Sequence, residues 1–253
     1  MSETIGIMQP YLFPYIGYFQ LINAVDRWIV FDDVQYIDKG WINRNRILHP
    51  DIAKEWQFIS IPLAKRGQFD RIRGISVKTD IDWRSKILGK LSHYKKKAPY
   101  YSETLAFVRD CLDTDETNVS RLVTEILKKT TTQLSIDTPV EVQSDMQLQL
   151  GDVTHPGQWA LRISEALGAS GYINPLGGAK LFNHEEYAEA KIGLSFLKTD
   201  LEPYSQRRNG FVSGLSIIDV LMFNSPADYS NLLSQHSIVR YGHSAEDEGL
   251  QNV

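Results

Sequence analysis

A chain of 253 residues is long enough to bury a sizeable core, as one large domain or two small ones. Its net charge of −4, with both signs mixed along the chain, gives no case for a nucleic-acid partner or an anionic membrane. The single cysteine, Cys111, excludes an internal disulfide and fits a reducing compartment, so the expected location is cytoplasmic.

No apolar run approaches the ~20 residues of a membrane helix. The first residues also lack the basic region and long apolar run of a signal peptide. No direct membrane insertion is expected, and the oligomeric state is left open.

In chain order, Ile5-Gly6-Ile7-Met8 reads as a strand over 5–9, ended by Gln9-Pro10 because proline cannot donate to a central ladder. Apolar residues return at Ile16, Phe19, Ile22 and Val25, the spacing of a helix face, and Pro14 suits a first helical turn. Trp28-Ile29-Val30-Phe31 is a second strand over 28–32, closed by Asp32-Asp33. Two such runs joined by a helix, without a hairpin signal, predict a βαβ unit and a parallel pair.

Ligands of open parallel sheets bind beyond the carboxyl ends of the strands. The polar segments 9–18 and 32–45 both follow strand ends, so they should face one crevice. Gln9 carries an amide that needs partners. Tyr11, Tyr15 and Tyr18 either bind a ligand or pack. Asp32 and Asp33 suit a general base, a ribose hydroxyl or a metal, or else one is solvated and the other caps backbone N–H groups. Gln35 leads into 40–46, where Trp41, Asn43 and Arg44 favour ligand binding over a plain surface loop; arginine there would clamp a phosphate or carboxylate.

The run 56–62 reads as a strand and 72–77 as a weaker one. Beyond Asp80 the period becomes helical: Trp83, Ile87 and Leu91 run toward Lys95-Lys96-Lys97, Ser102 caps a second helix, and Val119, Leu122, Ile126 and Leu127 mark a third. Cys111 falls on an apolar helix face as a small hydrophobe. Strand signals resume over 139–142. His155, before Pro156-Gly157, is a candidate general base, although a turn histidine is the commoner reading. Trp159, Ile163 and Leu167 mark a helix that Gly168 stops.

Next comes Tyr172-Ile173-Asn174-Pro175-Leu176-Gly177-Gly178-Ala179-Lys180. Asn174 ends a strand, Gly177 and Gly178 let backbone approach a ligand, and Lys180 would neutralise phosphate; an ordinary turn is the alternative. The spacing matches neither the Walker A nor the dinucleotide fingerprint. A strand over 194–198, a polar segment holding Tyr204 and Gln206, and a helix with Ser216 and Asp219 in its first turns complete the pattern. The expected fold class is α/β: a mainly parallel sheet with flanking helices and a helical insertion at about 80–135. One domain should span 1–241, with 242–253 a flexible tail.

MQPYLFPYIGYFQLI, FDDVQYIDKGWINRNRI, YINPLGG and Tyr204-x-Gln206 with LSIIDVLMFN resemble the WbqC-like protein family over nearly the whole chain. The resemblance implies a role in O-antigen or other surface-polysaccharide biosynthesis, with transfer of a glycine-like aminoacyl or acyl group to a nucleotide-activated amino sugar. Nucleotidyl transfer and a non-catalytic nucleotide-sugar-binding module are the alternatives. Tyr15-Ile16-Gly17-Tyr18 also resembles the H-x-G-H signature of nucleotidylyl-transferase and pantothenate-synthetase-like folds, with tyrosine at both histidine positions. That likeness implies ATP with magnesium as the cofactor. Tyrosine lacks the histidines' positive charge, so Lys180 or the arginines would have to supply it.

Overall fold

The computed structural model describes residues 3–240. Strand β1 (Thr4–Met8), helix α1 (Ile16–Asn23) and strand β2 (Arg27–Val30) form the βαβ unit, with Ile5 opposite Arg27 and Met8 opposite Val30 in a parallel pair. The hairpin β3 (Arg44–Leu48) and β4 (Trp56–Ser60) follows as a separate antiparallel sheet. Helices α2 (Trp83–Leu91), α3 (Tyr101–Leu112) and α4 (Val119–Gln133) come next. The chain then rejoins the main sheet through β5 (Val140–Val142), α5 (Gln158–Leu167), β6 (Gly171–Pro175), α6 (His184–Glu189) and β7 (Gly193–Thr199). Helices α7 (Ile217–Phe223) and α8 (Tyr229–Ser234) precede β8 (His236–Arg240).

The main sheet has the order β5-β2-β1-β6-β7-β8, parallel throughout except for β8, which runs against β7 at the edge. The protein is therefore α/β, with a mostly parallel sheet flanked by helices. The pleat sorts side chains to two faces. Ile5, Ile7, Ile29, Tyr172, Leu194 and Phe196 pack with α5 and α6 residues such as Leu161 and Tyr187. Trp28, Val30, Ile173 and Leu197 pack on the opposite side with Phe19 and Ile22 of α1. Gly6 faces that side, where a Cβ would sit 2.7 Å from the Trp28 ring, so the close approach requires glycine. The helical stretch α2–α4 shares this second core: Trp83, Val108, Leu122 and Ile126 are buried in it together with Phe19 and Trp28.

Several local readings differ. Helix α1 begins at Ile16 with Tyr15 as its extended N-cap, not at Pro14. The 72–77 segment is a single 3₁₀ turn, Ile72–Gly74, and Ser76 and Val77 make only isolated bridges. Helix α3 begins at Tyr101 with Tyr100 as its N-cap, two residues before Ser102, and no side chain caps it. The donor-rich loop 40–46 contains the start of β3, and β8 had no counterpart in the reading of the sequence. The proposed tail, 242–253, lies outside the described residues.

Candidate functional site

Counted outward from β1, the parallel strands follow the doubly wound order 3-2-1-4-5, and the direction of winding reverses between β1 and β6. A crevice opens at the carboxyl ends of two such strands, which is where sheets of this kind take ligands. The segments leaving β1 and β6, 9–15 and 175–178, are the walls of that crevice.

The first wall is held firmly. Tyr18 Oη donates to Gln9 O at 2.8 Å. Asn45 Nδ2 donates to Leu12 O and Phe13 O at 2.9 and 3.0 Å, Ser216 Oγ donates to Phe13 O at 2.8 Å, and Ile217 N donates to Pro14 O at 2.7 Å. Between these ties Phe13 sits at φ 41°, in the left-handed region that non-glycine residues enter only when surrounding contacts hold them. On the second wall Tyr172 Oη donates to Asn174 Oδ1 at 2.8 Å, and Asn174 Nδ2 donates to Pro175 O at 2.9 Å. A Cβ on Gly178 would collide with that amide, so the Gly-Gly turn closes over Asn174.

Two connected hollows result, sharing Met8, Tyr11, Pro175 and Gly177. One, of about 560 Å³, lies among Tyr11, Tyr15, Trp41, Arg46 and Gly214. The other, of about 330 Å³, lies among Gln9, Phe31, Trp159, Asn174, Gly178 and Phe182. Aromatic faces dominate the lining, with a few amides and one guanidinium. Burial, and for Tyr11 also the neighbouring Tyr15, pushes both tyrosine hydroxyls above their ordinary range, so they stay neutral donors and acceptors.

Arg46 supplies the positive charge. Its guanidinium lies 5.2 Å from the Trp41 ring and 5.3 Å from the Trp56 ring, and Nη2 donates to Gly214 O at 3.1 Å. Its Nε is buried and has no partner among the described residues. A donor left in this way is suited to an anionic ligand group. No carboxylate lines either hollow. No cluster of three or more His, Cys, Asp or Glu side chains suited to a metal occurs among the described residues. The donors of the groove among the described residues therefore do not fit a protein-held magnesium ion.

The structure thus brings Gln9, Tyr11, Tyr15, Asn174, Gly177 and Gly178 to one groove, and leaves the other candidates elsewhere. Tyr18 is buried and braces Gln9 from beneath. Asp32 is 1% exposed and accepts from Ser120 Oγ and Ser144 Oγ, both at 2.9 Å, and from Ser144 N at 3.1 Å, which ties the end of β2 to α4. Asp33 pairs with Arg71 at 2.7 Å and with Arg73. Burial alone would raise its pKa, but the two guanidinium groups outweigh that and hold the carboxyl below its usual range. Gln35 is exposed and donates to Gln68 O. Asn43 joins Tyr36 Oη to Ile61 O. Arg44 lies over Phe58 and donates to Gly40 O at 3.1 Å and to Lys39 O.

His155 Nε2 meets Glu186 at 3.0 Å beside the groove, and Lys180 is exposed on the 3₁₀ segment Leu176–Leu181; neither lines a hollow. Gln206 is 2% exposed, exchanges hydrogen bonds with Val212 backbone and donates to Asp219 at 2.8 Å. The residues passed over were Arg46 and the rings of Phe31, Trp159 and Phe182. The sequence signal for Arg46 was its strand partner pattern: it faces the same side as Trp56 and Phe58 of the hairpin.

Asp32→Ala is expected to cost about 1–3 kcal/mol in stability, because the Ser144 N–H loses its acceptor while both hydroxyls can turn elsewhere. Ligand affinity per folded molecule should stay at the wild-type value; thermal melts paired with calorimetry check both.

A protein of Mycobacterium tuberculosis (strain ATCC 25618 / H37Rv), the uncharacterized protein Rv1507c, is 26% identical to this chain over 233 residues, covering 91% of this chain and 97% of the relative. No solved structure matches significantly. The family model for WbqC-like proteins matches residues 9–231, which takes in both walls of the groove, the hairpin and the helical stretch. The chain belongs to the WbqC-like protein family.

Proposed function

We propose that the protein acts in surface-polysaccharide (O-antigen) biosynthesis and binds a nucleotide-activated amino sugar in the groove between β1 and β6. The observation that carries this reading is the composition of that groove: aromatic rings, amide groups and one guanidinium with a buried free donor, at the switch point of a parallel sheet. Rings such as Trp41 and Trp159 suit the flat faces of a base or a sugar. Arg46 suits the diphosphate between them. Gln9 lines the smaller hollow beside the shared Met8, where an amide can orient the sugar hydroxyls.

The reaction is transfer of an aminoacyl or acyl group to the sugar's amine. The amine lone pair attacks the acyl carbon of an activated donor, a C–N bond forms, the bond to the donor's leaving group breaks, and the amine proton leaves with that group. The groove lining offers no carboxylate or imidazole for this proton, so the protein's contribution is orientation and charge neutralisation. Within this reading the action takes place in the cytoplasm, the reducing compartment that the single cysteine fits.

Incubating the protein with a nucleotide-linked amino sugar and an activated glycyl donor, with mass spectrometry of the sugar, tests the reading. Formation of an acylated nucleotide-sugar supports it. The second reading, a non-catalytic nucleotide-sugar-binding module, is favoured by that same lack of acid–base groups. It predicts binding by calorimetry and no acylated product.

A further inference from the structure

A separate cavity of about 50 Å³ lies at the far end of the hairpin, lined by His49, His93, Lys97 and Arg208 together with Tyr94 and Gln206. A water needs roughly 10–15 Å³ of such space, so the cavity holds a few water-sized atoms: room for a tetrahedral oxyanion, but not for a nucleoside. Four basic side chains from three separate segments converge on it, and no carboxylate lines it.

The site keeps one unspent donor and one nitrogen that becomes a donor on protonation. Arg208 Nη1 and Nη2 donate to Glu55 O at 3.2 Å and Ile52 O at 3.1 Å, which fixes the guanidinium against the hairpin loop. Its Nε is buried without a partner among the described residues. His93 Nδ1 is 2.7 Å from Lys90 O, a group that only accepts, so Nδ1 carries the ring hydrogen. His93 Nε2 is likewise buried without a partner. It becomes a donor only when the ring gains a proton. Burial above all pushes that proton off; the Lys90 O hydrogen bond opposes this, and the neighbouring His49 and Lys97 add to it. His49 Nδ1 accepts from Asp51 N at 2.9 Å, which leaves its hydrogen on Nε2.

Two residues that line this small, basic cavity each carry a buried nitrogen without a partner among the described residues, an incomplete arrangement that an anion completes once His93 is protonated. We propose that this cavity binds a tetrahedral oxyanion of the phosphate class, free or as the terminal phosphoryl group of a larger ligand, with protonation of His93 on binding. The site is distinct from the β1/β6 groove and shares no lining residue with it. The bound anion bridges the hairpin, the segment after α2 and the segment before α7.

Calorimetric titration of the full chain with sodium sulfate, whose charge is constant near neutral pH, tests this directly. Saturable one-to-one binding is expected, tightening as pH falls. The groups facing His93 are Lys97 and the Lys90 backbone on its own segment, His49 from the hairpin, Arg208 from the 200s segment, and Asp219 of α7 one hydrogen bond beyond Tyr94 and Gln206. Asp219 also gains a proton in acid, so the slope is read as the difference between wild type and His93→Gln, which retains Asp219.

His93→Gln should lose most of the pH dependence. Lys97→Gln, a change at an exposed side chain, should weaken sulfate by about ten- to a hundredfold, the scale of one charged hydrogen bond. Lys97→Arg should restore it. Parallel titrations with inorganic phosphate and glycerol phosphate distinguish the free ion from a terminal phosphoryl group: equal affinities point to the ion, tighter binding of the ester to the larger ligand. No saturable sulfate or phosphate binding, or identical affinities in wild type, His93→Gln and Lys97→Gln, would overturn the proposal.

Discussion

Replacing Asp219 with alanine is expected to remove about 3–5 kcal/mol of stability, a large fraction of what a domain possesses. Asp219 is fully buried on α7 and gathers three donors: Tyr94 Oη at 2.8 Å, Tyr204 Oη at 2.6 Å and Gln206 Nε2 at 2.8 Å. Tyr94 Oη in turn accepts from Leu48 N at 2.9 Å, so the network joins α7, the hairpin, the segment after α2 and the 200s segment. Alanine leaves two phenols and one N–H of the Gln206 amide without an acceptor, in a space that also becomes a small void.

The same carboxyl makes stability depend on pH. Burial pushes its pKa up to about 6, and the three donors pull the other way without cancelling that rise. The folded state therefore holds this proton where the unfolded chain has released it, from about pH 4 to pH 6. Asp219's contribution is fully present below pH 4 and is lost as pH rises through 6, by roughly 3 kcal/mol. Asp219→Asn does not titrate. The stability difference, wild type minus Asp219→Asn, should fall across that window in urea melts at stepped pH. A flat difference would mean the carboxyl has an ordinary pKa.

The second large effect belongs to Arg46. Arg46→Ala is expected to weaken nucleotide-sugar binding by about 1.5–3 kcal/mol, roughly ten- to a hundredfold. It should also cost about 0.5–1 kcal/mol of stability per lost ring contact, with Trp41 and Trp56. Arg46→Lys separates charge from geometry: lysine restores a cation but not the planar fork that stacks between the rings. Affinity in Arg46→Lys should fall nearer to Arg46→Ala than to wild type. Calorimetry on the three proteins checks this, and equal affinities in all three would remove Arg46 from the site.

Much of the frame was legible because it rests on periods that local sequence carries. The runs at β1 and β2 hold continuous apolar stretches, and β6 and β7 hold apolar pairs such as Tyr172-Ile173 and Phe196-Leu197; a single helical period between the first two strands implied the parallel pair. The strand-end rule put Gln9, Asp32, Asn43 and Asn174 in one pocket; Gln9 and Asn174 do meet in the groove, whereas Asp32 and Asn43 are tied elsewhere. The hairpin was hidden by chemistry. Asn45, an inward position of β3, is a buried polar residue whose amide serves Leu12 O and Phe13 O, so the inside–outside alternation was masked. Strand β8 alternates weakly because its register with β7 leaves it at a partly exposed sheet edge.

The acids were misplaced for a related reason. A carboxylate at a strand end looks the same in sequence whether it faces a ligand or turns inward. Asp32 turns inward because Ser120 and Ser144, 88 and 112 residues away, supply its donors. Asp33 turns to Arg71 and Arg73, 38 and 40 residues on. Such partners are set by tertiary packing, which one sequence does not display.

The central claim is that the crevice between β1 and β6 takes a nucleotide-activated sugar. The most direct test is titration of ¹⁵N-labelled protein with a nucleotide-sugar, following the tryptophan indole signals by NMR. Trp41 and Trp159 line the two hollows, whereas Trp83 is buried among the helices of 80–135. The account predicts saturable shifts of the Trp41 and Trp159 indoles with Trp83 unmoved. Unshifted Trp41 and Trp159 signals at saturating ligand, or shifts confined to Trp83, would contradict it.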